Sequence, residues 1–342
     1  MTYSEIIKNN CEIADVAWWP KFAYHYTDIT NAVNILSTGY IYSRLQVSDK
    51  QLMKNDNASM QVINMTESEA LSSARFYFRP MTPTQYYNEG YKHPDLRYDG
   101  DRNANVTVPI FFLFDMEKIL KTNGVAFSEF SQAGHGAELY SGEDDFAKLN
   151  FKKIYGNNFA DYEDRKYRHA EILCPNEYNI DDSLNVILCR NHVEKSTFMT
   201  LLKAKNEKLF YKYKDKVKVC RSDMFEKNGL FVEDIIFNEN SVTFNFTDTL
   251  DKCKYDKHQM EKRELDELSQ IELEFVFQWL NGKNEILFER KLKCMMNYQD
   301  TRPIGINKIP HYEKTKILRI SLYVEHNILA CIEKPIDETN VI

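Results

Sequence analysis

The chain has 342 residues, with 44 Lys and Arg against 51 Asp and Glu, for a formal net charge of −7. That length suggests two domains, and 43% hydrophobic with 13% aromatic residues excludes a disordered or fibrous chain. An acidic balance does not announce a nucleic-acid binder, because phosphates need clustered Lys and Arg, yet net charge says little about one local groove.

In chain order, Phe22 to Thr27 reads as a strand, followed by Asp28 as an N-cap, an apolar helical set at Val33, Ile35 and Leu36, and Gly39 as the helix stop. Tyr40 to Ser43, Arg75 to Arg79, Val106 to Phe114, Ala170 to Cys174 and Leu184 to Arg190 are further strands by aromatic and β-branched content. Between them lie long polar stretches, Val47 to Ser59, Asn88 to Asn105 and Ser131 to Asp145, the last with His135 between two glycines. Loops of that length in a compact domain usually serve as lids or binding loops. From Val193 to Lys208 the pattern is helical, and it runs into a basic aromatic segment ending at Arg221. Val232 to Thr247, Ile271 to Trp279 with Ile286 to Lys293, and Ile317 to Val324 with Ile328 to Glu333 are β-rich. The last two pairs are expected to be hairpins turning at Asn281-Gly282 and His326-Asn327. The fold class is therefore α+β, with a smaller antiparallel β domain, read as a sandwich, at the C-terminal end.

No run approaches the roughly 18 apolar residues needed to span a bilayer, and the N-terminus mixes Glu5, Lys8 and Glu12. No membrane association and a cytoplasmic location are expected. Seven cysteines form no C-x-x-C pair and eight histidines are dispersed, so reduced thiols and no metal are expected. There is no G-x-S-x-G, Walker, G-x-G-x-x-G or H-E-x-x-H motif. With 11 glycines in all, a bound nucleotide would be held mainly by side chains.

Three places carry candidate chemistry. The first is His25-Tyr26-Thr27 followed by Asn31, Ile35-Leu36 and Gly39. The second is Arg75-Phe76-Tyr77-Phe78-Arg79-Pro80-Met81-Thr82-Pro83, and the third is Arg168-His169-Ala170-Glu171-Ile172-Leu173, where a carboxylate interrupts an apolar strand. In this order and spacing, over roughly residues 20 to 195, the sequence resembles the DarT family of bacterial NAD-dependent ADP-ribosyltransferases, toxins that modify a base in single-stranded nucleic acid.

The resemblance implies an ADP-ribosyltransferase-like split β-sheet core with short helices and a set of roles. His25 would bond the adenosine ribose, Thr27 and Asn31 would fix the nicotinamide or its ribose, and Tyr77 would line the nicotinamide pocket. Tyr26 and Arg44 join them as cofactor-binding residues. Glu171 would bind the 2′-hydroxyl of the nicotinamide ribose and stabilise the charge that develops at C1′, the kind of electrostatic stabilisation that often dominates catalysis. Relatives carry a catalytic arginine upstream of the F-Y-F strand. None lies between Arg44 and Arg75 here, so Arg75 or Arg79 is expected to substitute in space. On a regular strand Arg75, Tyr77 and Arg79 would share one face.

Blander readings stand beside these. A lone strand glutamate is most often solvent-facing, a lone strand histidine is usually a satisfied one, and a basic run such as Lys205 to Arg221 is more often a solvated connector than a single-strand track. The combined expectation is a catalytic domain over 1–205, a basic aromatic connector over 206–225 and a β-rich accessory domain over 226–342. The substrate would be NAD, with no metal, and the acceptor a nucleobase of single-stranded DNA, thymine being the family default. Single-stranded RNA, a guanine, a protein acceptor or a degenerate binding module are the alternatives. A toxin or antiviral role and a macrodomain-type or otherwise neutralising antitoxin follow from the resemblance.

Overall fold

The structure, a computed structural model, describes residues 1–50, 64–98, 101, 105–133, 137–157, 162–219 and 224–336. Most of the Val47 to Ser59 loop, part of the Asn88 to Asn105 loop, His135 and Arg221 lie outside the described residues.

Nine strands occupy the first two thirds of the chain: β1 (Phe22–Asp28), β2 (Tyr40–Tyr42), β3 (Ser73–Tyr77), β4 (Pro109–Asp115), β5 (Ala126–Ser128), β6 (Glu171–Pro175), β7 (Glu177–Asn179), β8 (Leu184–Cys189) and β9 (Val217–Val219). Seven of them form one sheet in the order β5-β6-β3-β1-β4-β8-β9, while β2 pairs with β7 apart from it. All neighbours in the large sheet are antiparallel except β8 and β9. Strand β4 is buried at every position from Pro109 to Phe114. Successive strand residues face opposite sides, so continuous burial means that both faces of the sheet are covered there.

The helix Ile29–Thr38 follows β1 directly. Asp28 caps it, its Oδ1 accepting from the Thr30 amide at 2.9 Å, and Ile29, Ala32, Val33 and Leu36 form the buried stripe. Gly39 ends the helix at φ 80°, with its amide donating to the Ile35 carbonyl. A Cβ built at Gly39 meets nothing within 4 Å, so only backbone strain opposes a side chain there. Gly39→Ala is therefore expected to cost about 1 kcal/mol, read as a lower thermal midpoint with unchanged secondary structure.

Strand β3 runs from Ser73 to Tyr77, not from Arg75 to Arg79 as expected. Beyond Tyr77 the chain leaves the sheet: Pro80 has no amide to donate, and Met81 takes a positive φ of 61°. The stretch read as a connector folds into a helix, Glu207–Tyr213, and then β9. With β9 at the far edge of the large sheet, five strand spacings separate it from β6, roughly 24 Å at the usual inter-strand distance.

The last third contains β10 (Val232–Phe237), β11 (Val242–Phe246), β12 (Ile271–Leu280), β13 (Ile286–Met296), β14 (Ile304–Ile306), β15 (Ile317–Val324) and β16 (Asn327–Pro335). They form a three-stranded sheet, β10-β11-β14, and a four-stranded sheet, β13-β12-β15-β16. The sheets share one core, with the Phe244 and Phe275 rings 5.0 Å apart, which matches the expected sandwich. The β15–β16 hairpin turns one residue earlier than expected, at Glu325-His326, because Val324 pairs with Asn327 and both turn residues have positive φ. Asn281-Gly282 opens a longer loop in which the Asn281 side chain accepts from the Lys283 and Glu285 amides. The helix Leu250–Lys262, capped by Thr249, is absent from the sequence reading. Its buried face consists of Lys252, Tyr255, Asp256 and Gln259, so the apolar period that betrays a helix is missing.

The helix His192–Lys205 joins the two parts, burying Phe198 and Leu202 in the first core and Val193 in the second. Below it lies a buried polar junction centred on Glu89, which is fully excluded from solvent. Its carboxylate accepts from Gln85 Nε2 at 2.7 Å, the Glu226 amide at 2.9 Å, the Lys227 amide at 3.1 Å and Arg190 Nη1 at 3.3 Å. Arg190 also pairs with Glu194 and lies 3.6 Å over the Phe231 ring. Gly229 is pressed here so closely that a Cβ would sit 2.5 Å from the Glu89 carbonyl oxygen.

Candidate active site

The strand order β6-β3-β1 places Glu171, Arg75 and His25 side by side on three neighbouring strands. Glu171 opens β6 opposite Tyr77, and it keeps 1% of its exposure. A buried carboxylate needs a partner, and Arg75 supplies a two-pronged one: Nε lies 3.0 Å from Oε2, and Nη2 lies 2.7 Å from both oxygens. Ser131 Oγ adds a longer contact to Oε1 at 3.4 Å. Burial would lower the Arg75 pKa, but the adjacent Glu171 charge reverses this and holds it above the usual arginine range.

His25 Nδ1 stands 3.0 Å from the Arg75 carbonyl oxygen. A carbonyl can only accept, so Nδ1 carries the proton and Nε2 is left with a lone pair when the ring is neutral. Burial lowers the His25 pKa, and the bond to Arg75 offsets part of that, so the neutral ring is favoured at pH 7.

A cavity of about 220 Å³ opens beside this group. His25 and Thr27 of β1, Asn31 and Ile35 of the following helix, Arg44 of the helix Arg44–Asp49, and Arg75 of β3 all line it. Tyr40 and Tyr42 complete the wall as a stacked pair 5.8 Å apart. Two guanidinium groups, amides, a hydroxyl and aromatic faces in one concavity suit an anionic ligand that carries flat rings and sugar hydroxyls. Thr27, Asn31, Arg44 and Arg75 are thus brought together with His25. Tyr77 stands across from Glu171 without lining the cavity, and burial, with the Glu171 charge, raises its pKa.

Tyr26 and Arg79 are not brought to this cavity. Tyr26 alternates to the other face of β1, with its ring 5.1 Å from Phe111 and its buried hydroxyl lacking a hydrogen-bond partner among the described residues. Arg79 lies past the end of β3 and turns into the interior, so it does not share a face with Arg75 and Tyr77. Its guanidinium donates to the carbonyls of Pro80 at 3.0 Å, Ile154 at 3.0 Å and Gly156 at 2.6 Å, and to Asn157 Oδ1 at 2.7 Å. It stacks 4.6 Å over Trp19, which makes it a buried clamp for the 154–157 turn. Of the two arginines expected to face the carboxylate, the fold selects Arg75.

His169 and Ser131 carry no assigned role in the sequence, yet Ser131 contacts Glu171 and His169 lies near enough to Arg75 to feel its charge. His169 ends the 3-10 turn Lys166–His169 ahead of β6, so no strand alternation marks it in the sequence. Burial, with help from the Arg75 charge, lowers the His169 pKa to about 4. The unfolded chain would bind a proton near pH 6.5 that this folded site refuses. Stability is therefore expected to be complete above pH 6.5 and to fall as the pH drops toward 4. Urea midpoints measured across that range should decline less steeply in His169→Gln, and an unchanged slope would assign the acid loss elsewhere.

Comparison with known proteins gives a family and several similar solved structures. The family model described as ssDNA thymidine ADP-ribosyltransferase, DarT, matches residues 24–224, more than half of the chain. Among solved structures, Thermus sp. 2.9 DarT in complex with ADP-ribosylated ssDNA is similar at 17% identity and a TM-score of 0.46, covering 60% of this chain and 96% of that one. The Thermus sp. 2.9 DarT complex with NAD+ is similar at 17% identity and a TM-score of 0.43, covering 60% and 98%. Thermosipho africanus DarTG in complex with ADP-ribose is similar at 15% identity and a TM-score of 0.44, covering 64% of this chain and 54% of that one. The search of curated proteins finds no match. With the family match spanning the strands that carry His25, Arg75 and Glu171, the chain belongs to the DarT family of ADP-ribosyltransferases.

Proposed function

We propose that this chain transfers ADP-ribose from NAD to a nucleobase in single-stranded DNA, with thymine as the acceptor. The observation that carries the reading is the buried Glu171 carboxylate, gripped by Arg75 at the edge of a cavity lined by His25, Thr27, Asn31 and Arg44. NAD is the substrate, and solved DarT relatives are described in complex with NAD+ and carba-NAD+.

In this reading His25 Nε2 accepts from an adenosine ribose hydroxyl, Arg44 faces the pyrophosphate, and Thr27 and Asn31 hold the nicotinamide end. Glu171 accepts the 2′-hydroxyl of the nicotinamide ribose. The C1′–N bond breaks with its electron pair going to the nicotinamide nitrogen, and the cationic C1′ that remains is stabilised by the Glu171 charge. A base nitrogen then bonds to C1′ and its proton passes to solvent. Arg75 fixes the carboxylate, so no reorganisation is needed when charge develops. Tyr26 and Arg79 take no part.

Labelled NAD mixed separately with single-stranded DNA, single-stranded RNA and protein tests this. Label in the DNA pool, with one nicotinamide released per ADP-ribose transferred, is the expected result. Label confined to RNA or protein would replace the acceptor, and no release at all would leave a binding module. The same reading makes the chain a cytoplasmic toxin or antiviral effector, neutralised by a macrodomain-type partner that removes the mark. It assigns 1–205 to catalysis, 206–225 to a link that also adds β9 to the edge of the large sheet, and 226–342 to an accessory role. No helix among the described residues is long and apolar enough to cross a membrane.

A further inference from the structure

A second cavity, of about 330 Å³, opens just beyond the C-terminal end of β3. The first cavity takes Ser73 and Arg75 from the strand, and the second takes Met81, Thr82 and Pro83 from the turn that follows Tyr77, the register partner of Glu171. Two links tie the second cavity to the carboxylate. Arg168, three residues before Glu171, lines it, and the helix Pro83–Asn88 packs against the Lys166–His169 turn that leads into Glu171.

The lining chemistry is particular. Arg165 and Arg168 come from the segment that leads into Glu171, Tyr86 and Tyr87 from the helix Pro83–Asn88, and Glu226 and His258 from beyond residue 225. The tyrosine rings meet edge to face at 5.2 Å and offer a flat base a stacking surface. Arg165 and His258 are exposed at the rim, where a phosphate would lie. A carboxylate among phosphates would normally repel, but burial, reinforced by the Glu89 charge, raises the Glu226 pKa to about 8. At neutral pH its carboxyl is largely protonated, and it can donate one hydrogen bond and accept another at a base edge. By contrast, the basic helix Glu207–Tyr213 runs into β9 at the opposite edge of the sheet from Glu171.

We infer that this second cavity holds a nucleotide of the acceptor strand next to the base being modified, and that Glu226 and His258 make the accessory part of the chain a component of the acceptor site. The inference rests on the proposed nucleic-acid acceptor. It assigns the cavity a binding role, with the transferred group still passing at Glu171, and it accounts for why a chain of this family carries residues on the helix Leu250–Lys262 facing the catalytic part.

The test uses the full chain carrying Glu171→Gln, so that binding is read without turnover, and a fluorescein-labelled single-stranded DNA twelve-mer as probe. Arg165→Glu should raise the Kd for the oligonucleotide at least tenfold and His258→Glu several-fold, while the Kd for NAD and the melting temperature stay at the parent values. An oligonucleotide Kd unchanged in both variants, with melting also unchanged, overturns the inference. The same charge reversals in the active chain separate it from the proposed function. Label transferred to DNA with an unaltered KM for DNA keeps the function and rejects the cavity. DNA binding that is lost in both variants, without any transfer to DNA by the active chain, keeps the cavity and rejects the reaction. Tight capture of an acidic peptide instead of DNA would reject both.

Discussion

Glu171→Gln is expected to leave the protein folded and reduce nicotinamide release and ADP-ribose transfer by about a hundred- to a thousandfold, the usual cost of losing one preorganised electrostatic contact to a transition state. The amide keeps the shape and one acceptor for Arg75, whose side chain retains 28% of its exposure and so can also turn to water. In the proposed mechanism the lost quantity is the negative charge facing C1′. Arg75→Ala should behave differently. It leaves the Glu171 carboxylate buried without the guanidinium that neutralises it, a situation that costs about 3–5 kcal/mol when one partner of a buried pair is removed. Both activity and melting temperature should then fall, whereas Arg75→Lys should recover stability more than rate, because an ammonium restores charge but not the two-pronged geometry. The measurement is initial nicotinamide release with a thermal melt on each variant. Release within tenfold of the parent in Glu171→Gln would dispose of this residue as the catalytic anion.

The other large effect concerns the junction. Glu89→Leu should lower stability by about 3–5 kcal/mol, seen as a lower urea midpoint, since it removes a buried acceptor at once from Arg190, Gln85 and two backbone amides. Whole domains are commonly stable by only about 5–15 kcal/mol, so the variant should sit near the edge of folding at 37 °C. Arg190 retains Glu194, which sets the upper bound on the loss. A shift under about 1 kcal/mol would mean that the two cores are held together by apolar contacts across the helix His192–Lys205 alone.

Much of this architecture can be read from local rules. Asp28 and Gly39 mark the first buried helix because a cap and a left-handed stop depend only on neighbours in the chain. The apolar run of β4 and the alternation of β12 and β15 are likewise visible, since burial of a strand face is written at every second residue. The helix Leu250–Lys262 escaped because it buries polar groups, Lys252 with Asp256 at 2.7 Å among them, in place of an apolar stripe.

The site itself divides in the same way. His25, Glu171 and their motifs stand out along the chain, but Arg75 and Arg79 look equivalent there, four residues apart on one apparent strand. Which of them meets the carboxylate depends on where β3 leaves the sheet and on the pairing of β3 with β6, a contact between residues 96 positions apart. Tyr26 is excluded by the pleat, and His169 is brought in by the approach to β6. Periods, caps and turns follow from bonds a few residues long and are therefore encoded in short stretches. Partners of a buried charge follow from the order of the strands, which the hydrophobic core settles collectively.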